Sequence, residues 1–187
     1  MGYKRLLSPI LLTALLILSI QLFGQSRFEV IDGHIDFKSD APLELIEANS
    51  DKAQGIIDPK TLQFAFIVST SSFKGFNSEL QRQHFNEKYL ESDKYYQSSF
   101  SGTLEGTIDF KKDGVYTVKA NGNLLIHGKK QPRIIPGTIT IKDGKMEVDS
   151  KFTVLLADHN IDIPKVVNQK VATEIYITLK FKMEQKN

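Results

Sequence analysis

The sequence predicts an all-β protein of about eight antiparallel strands, a barrel or a sandwich, with one flanking helix. Three observations carry that expectation. Long stretches alternate apolar and polar residues with period two, Asp-Gly pairs punctuate them at hairpin spacing, and only one segment turns to a helical period. The clearest stretch runs from Phe100 to Phe110. There Phe100, Gly102, Leu104, Gly106, Ile108 and Phe110 alternate with Ser101, Thr103, Glu105, Thr107 and Asp109. Strand side chains point alternately to opposite faces, so this segment has one dry face and one wet face.

Before the strands, Lys4 and Arg5 precede an apolar run from Leu6 to Phe23, densest at Leu11 to Leu18, and Gly24-Gln25-Ser26 follow it. A basic start, a short apolar core and small residues after it describe a secretory signal peptide, expected over residues 1–25. A barrel domain is expected over residues 26–187. Pro9 and the polar interruptions leave the dense part short of the ~20 residues a bilayer requires.

Phe28 to Ile31 and His34 to Ser39 read as two short strands broken at Asp32-Gly33, and Glu44 to Ala48 as a helical turn. Lys52 to Ile57 and Leu62 to Ser72 form a hairpin around Asp58-Pro59-Lys60-Thr61, with Leu62, Phe64, Phe66 and Val68 on one face. Ser78-Glu79-Leu80-Gln81 fits a capping box. Leu80, His84, Phe85, Tyr89 and Leu90 follow at helical spacing, so a helix from Ser78 to about Leu90 lays Phe85 and Tyr89 on the barrel.

Ser98 to Phe110 pairs with Val115 to Gly128 around Asp113-Gly114, and Arg133 to Lys142 with Lys145 to Leu156 around Asp143-Gly144. After a crossover from Ala157 to Asn168, a last strand from Val171 to Met183 puts Val171, Ile175, Ile177, Leu179, Phe181 and Met183 on one face. Gly102, Gly106, Ala120 and Gly122 fall on inward positions. Their missing side chains leave room for a ligand or relieve strain at corners. The inward aromatics likewise serve as packed core or as cavity lining.

Composition excludes several classes. The chain has 24 basic and 22 acidic residues, and two of the basic ones lie in the leader. The remainder is balanced, which gives no basic patch for nucleic acid. There is no cysteine, so neither disulfides nor a lipid-modified cysteine is available. No nucleophile elbow, zinc-protease helix, P-loop, dinucleotide fingerprint or calcium loop occurs. The four histidines, His34, His84, His127 and His159, are dispersed. His34 and Asp36 share a strand face, but two ligands do not define a metal site. His127 reads as part of an exposed loop. No cofactor and no catalytic residue are expected.

The segment Gln83-His84-Phe85-Asn86-Glu87-Lys88-Tyr89-Leu90-Glu91-Ser92-Asp93-Lys94-Tyr95, followed by Ser99-Phe100-Ser101-Gly102, resembles the helix-to-strand signature of YceI-like proteins. Four further segments agree in order: Ile35 to Leu43, Lys112-Asp113-Gly114, Gly122 to Gly128, and Phe152-Thr153-Val154 with Asp158 to Pro164. Tyr96 stands where the family usually has proline, and His159 where it often has tyrosine. The resemblance implies a lipocalin-like barrel exported to the periplasm, or secreted, with a lumen for a long polyisoprenoid or a similar quinone-like amphiphile. It carries over no catalytic residue.

Lining positions follow from the resemblance as candidates only: Phe64, Phe66, Phe100 and Leu104 on the earlier strands, and Tyr116, Val118, Phe152 and Ile177 on the later ones. Gly102 is expected beside the ligand, leaving volume between Phe100 and Leu104. Magnitudes favour a long tail. An isoprene unit gains roughly 4 kcal/mol at ~0.8 kcal/mol per carbon, against an association cost of ~4–15 kcal/mol. Such a carrier would contact a membrane or an envelope protein transiently. The competing readings are an envelope interaction module with a filled core, and an isomerase or cyclase acting in the lumen, for which Tyr116 is the one inward ionisable group.

Overall fold

The computed structural model describes residues 26–186, so the proposed leader lies outside the described residues. Nine strands follow one another: β1 (Arg27–Asp40), β2 (Leu45–Ser50), β3 (Gln54–Ile57), β4 (Gln63–Ser69), β5 (Gln97–Glu105), β6 (Gly114–Ile126), β7 (Lys129–Lys142), β8 (Lys145–Leu155) and β9 (Glu174–Lys186). Every pairing is antiparallel. Sequential neighbours pair from β3 to β9, and β1 closes the circuit against β9. The other edge of β1 is shared, with Phe28 and Glu29 opposite β3 and Ile35 to Asp40 opposite β2. The result is a closed eight-stranded barrel with one extra strand, and closure removes the free edges that invite aggregation.

Three expectations are corrected here. Asp32-Gly33 does not break the first strand; β1 runs through it, with a register shift between Val30 and Asp32 opposite β9. A Cβ on Gly33 would fall 2.9 Å from Val30 Cγ1 and run into the Ala53 carbonyl, so glycine there serves close backbone approach, not a turn. Glu44 to Ala48 is no helical turn, because Leu45 to Ser50 pair with β1 and tertiary pairing overrides local propensity. Lastly, β5 ends at Glu105, where Gly106 takes a φ of +142°, and residues 106–113 form a loop.

Two other hairpins are two-residue turns with both central φ values positive: Asp143 (50°) with Gly144 (74°), and His127 (49°) with Gly128 (68°). Positive φ at both positions marks the turn whose twist matches paired strands. The β3–β4 hairpin turns at 58–62, and Asp58 Oδ1 accepts the Lys60 (2.7 Å) and Thr61 (3.2 Å) amides.

The helical segment begins as expected and ends differently. Ser78 caps helix α1 (Glu79–His84), its Oγ accepting the Gln81 amide at 3.1 Å. Gln81 Oε1 accepts the Asn77 amide, one residue outside the cap, at 3.1 Å. A π-helical turn, Phe85–Tyr89, then widens the spiral. The turn aims Phe85 at Phe37, with the rings stacked at 5.3 Å and 13°. Phe73 and Phe76 complete the cluster at 5.8 and 5.1 Å from Phe85. Among the described residues no helix is long and apolar enough to cross a membrane.

A one-ended cavity in the barrel

Inward residues divide the lumen near Phe66 and Phe181, whose ring centroids lie 5.0 Å apart. On one side Phe28, Ile141, Met146 and Met183 are packed to 2% exposure or less, and Phe110 from the 106–113 loop tilts against Phe28 at 5.8 Å. That end is plugged. On the other side a cavity of about 510 Å³ runs to the end of the barrel that carries α1. The size suits a small-molecule or lipid-tail site.

Its walls follow from strand alternation. Val118, Ala120, Leu124 and Ile126 of β6, Phe152 and Val154 of β8, and Ile177 and Leu179 of β9 all face it. The rim is built from connections instead. The β1–β2 loop brings Glu44, α1 brings Leu80, Gln81 and His84, the π turn brings Tyr89, and the 165–171 segment brings Val167 and Lys170. Gln81 Nε2 donates to Glu44 Oε1 at 2.6 Å, and the Leu43 amide donates to the Gln169 carbonyl at 2.9 Å. These bonds tie all three connections around one mouth. Burial, with the Glu44 charge in support, holds the Tyr89 phenol above its ordinary pKa.

Six of the nine candidate positions line this cavity: Phe66, Phe100, Leu104, Val118, Phe152 and Ile177. Three do not. Phe64 is 3% exposed and packs under Phe66 and Phe100, at 5.7 and 4.9 Å. Tyr116 lies toward the plugged end, where its hydroxyl donates to the Lys112 carbonyl at 2.9 Å. Gly102 leaves no volume beside the cavity, because the backbone of β6 occupies its side-chain space. Phe37, Phe73, Phe76 and Phe85 form the aromatic wall near the mouth. Phe73 and Phe76 follow neither a strand nor a helix period, so patterning gave no signal for them.

The histidines take structural positions. His34 lies between Asp51 (2.6 Å) and Asp36 (3.1 Å), and its hydrogen bond to the Asp51 carboxylate raises its pKa. Lys74, then His34, holds Asp51 down at about 2. Among the described residues no group of three or more His, Cys, Asp or Glu side chains is arranged to hold a metal. His127 is not in an exposed loop. Its side chain is 12% exposed, pairs with Glu91 at 2.7 Å and the His159 carbonyl at 3.1 Å, and meets the Tyr95 ring edge-on at 4.6 Å. His159 is fully buried, with Nδ1 donating to the Lys129 carbonyl at 3.0 Å and Nε2 unpartnered.

Known proteins share this architecture. A polyisoprenoid binding domain from Saccharophagus degradans implicated in plant cell wall breakdown superposes with a TM-score of 0.72 at 12% identity, over 85% of this chain and 98% of that one. BcnA of Burkholderia cenocepacia gives 0.65 at 16%, over 80% and 95%. The Campylobacter jejuni YceI protein gives 0.57 at 15%, over 75% and 84%. No curated protein matches the chain in sequence. The model of the YceI-like domain matches residues 20–183, nearly the whole described barrel, and the chain belongs to that family.

Proposed function

We propose that this protein is an exported carrier that holds the long apolar tail of an isoprenoid lipid or quinone-like amphiphile inside its barrel. The observation that carries the reading is the cavity. It is largely apolar along its walls, plugged at one end and open at the other, with its titratable groups gathered at the mouth. A filled-core interaction module has no use for about 510 Å³ of apolar space. The polyisoprenoid binding of the Saccharophagus degradans domain supports the same ligand class, and Lys4, Arg5 and the apolar run after them support export. The residues proposed to contact the tail are Phe66, Phe100, Leu104, Val118, Phe152 and Ile177.

A lumen enzyme finds less support. The titratable side chains lining the cavity are Glu44, His84, Tyr89 and Lys170, all at the mouth and away from the region where a buried tail would lie. Mass spectrometry of an organic extract from protein purified out of its native envelope tests the carrier reading. A stoichiometric polyprenyl species is expected. Protein free of lipid that also takes up none from isoprenoid-containing vesicles would overturn it.

A further inference from the structure

The mouth of the cavity has a chemistry of its own, and it restricts the head group. Glu44 is half-buried there, with one carboxylate oxygen held by Gln81 Nε2 at 2.6 Å. Tyr89 lines the same mouth, where burial, with the Glu44 charge in support, holds its phenol above the ordinary pKa. Among the described residues this rim offers little of what proteins use to hold phosphate. No arginine lines the cavity among the described residues, whereas planar guanidinium forks are the usual partners of phosphate oxygens. At the start of α1 the Gln81 amide is already taken by Ser78 Oγ, and the Asn77 amide just before the cap by Gln81 Oε1. The lone lining cation, Lys170, is exposed on a flexible stem where water screens it. His84 is exposed as well.

A half-buried carboxylate repels an anion and accepts a hydrogen bond from a neutral donor. We propose that the mouth selects an uncharged, hydroxyl-bearing head group, the alcohol of a polyprenol or the phenol of a quinol, and disfavours a phosphate on the same tail, with Glu44 setting the preference. The free oxygen of Glu44 accepts the head hydroxyl, and Tyr89 supplies the second polar contact. Apolar walls then read the tail and the rim reads the head. A quinone, which has lost its hydroxyl hydrogens, forfeits the bond to Glu44 and binds less tightly than its quinol.

This inference rests on the carrier reading, and one ligand series separates the two. Binding of geranylgeraniol, its methyl ether and geranylgeranyl phosphate is measured on the purified protein in detergent below micelle-forming concentration. The alcohol is expected to bind about tenfold tighter than the phosphate, the equivalent of ~1.4 kcal/mol, and several-fold tighter than the ether. Glu44→Gln keeps an oxygen for Gln81 and removes the charge, so it should shrink the alcohol-to-phosphate ratio toward one, mainly by improving the phosphate. Equal or tighter binding of the phosphate by the wild type, or an unchanged ratio in a folded Glu44→Gln protein, overturns the head-group proposal while leaving the carrier intact. Failure of all three ligands to bind overturns both. Should Glu44→Gln not fold, the wild-type series decides by itself: alcohol ahead of both ether and phosphate upholds the proposal, and any other order sinks it.

Discussion

Gly102 and Gly122 stand directly opposite each other across the β5–β6 pair, and each fills the space a side chain on the other would need. A Cβ on Gly102 would come within 2.5 Å of the Gly122 Cα and collide with the Asn121 carbonyl. A Cβ on Gly122 would come within 2.8 Å of the Ser101 carbonyl carbon. The two strands therefore pack backbone to backbone at this point. Gly102→Leu should lower stability by about 1–3 kcal/mol or more, the usual range for overpacking. The melting temperature, followed by circular dichroism, should fall by several degrees, and a variant melting like the wild type would contradict the close approach.

Ala120 offers the true route to filling the cavity. It lies opposite Leu104 on one side and Ile135 on the other, and its Cβ faces open lumen. In Ala120→Leu the added carbons displace two or three tail carbons at ~0.8 kcal/mol each. Lipid uptake should weaken roughly tenfold or more, while the melting temperature shifts by only a few degrees. Unaltered affinity in the folded variant would mean the tail stops short of Ala120.

Phe85 is half-buried, stacked on Phe37 and flanked by Phe73 and Phe76. Phe85→Ala should cost about 1–3 kcal/mol, summing partial burial and aromatic pairing, which is less than a fully buried phenylalanine would. Urea denaturation measures it. A loss under about 0.5 kcal/mol would place Phe85 among ordinary surface residues.

His159 should make the fold acid-sensitive. Burial lowers its pKa from 6.5, so the unfolded chain binds the proton first. Stability is then complete above pH 6.5 and falls as the pH drops through the depressed folded value. The groups acting around it are Asp158, which favours the proton, and Arg133, which opposes it, with the Lys129 and Ile126 carbonyls at the ring. His34 has a raised pKa and the opposite sign, its contribution being present at low pH and lost as the pH rises, but it is largely exposed to solvent screening. His159→Phe should flatten the acid side of a melting-temperature profile. A profile as steep as the wild type's would assign the acid loss elsewhere.

The Asp-Gly pairs show where sequence reading reached and where it stopped. Asp143-Gly144 makes the expected tight turn, Asp113-Gly114 ends a longer loop, and Asp32-Gly33 lies within a strand. The same dipeptide takes three conformations because pairing partners, not local preference, decide among them. His127-Gly128 makes the other tight turn with no conventional asparagine or aspartate, held by Glu91 and the His159 carbonyl from remote parts of the chain.

The walls of the cavity were legible because alternation fixes which face of a strand is dry. Alternation places residues on a face but not along the barrel axis, and Phe64 and Tyr116 share the inward face while lying below the cavity. The mouth was largely hidden, since Glu44, the helical segment with Gln81 and Tyr89, and Lys170 converge from three separate segments. Only the tertiary fold brings them together.

The plug formed by Phe28, Met146 and Met183 makes the barrel a gauge of length. An apolar chain threaded from the mouth meets a fixed stop at Phe66 and Phe181, and every unit beyond that depth stays outside in water. Chains of increasing length should therefore gain affinity stepwise and then level off. In the carrier proposed above, loading and unloading would share the same aperture, so cargo would leave head first and its receiver would have to grasp the head before the tail came free.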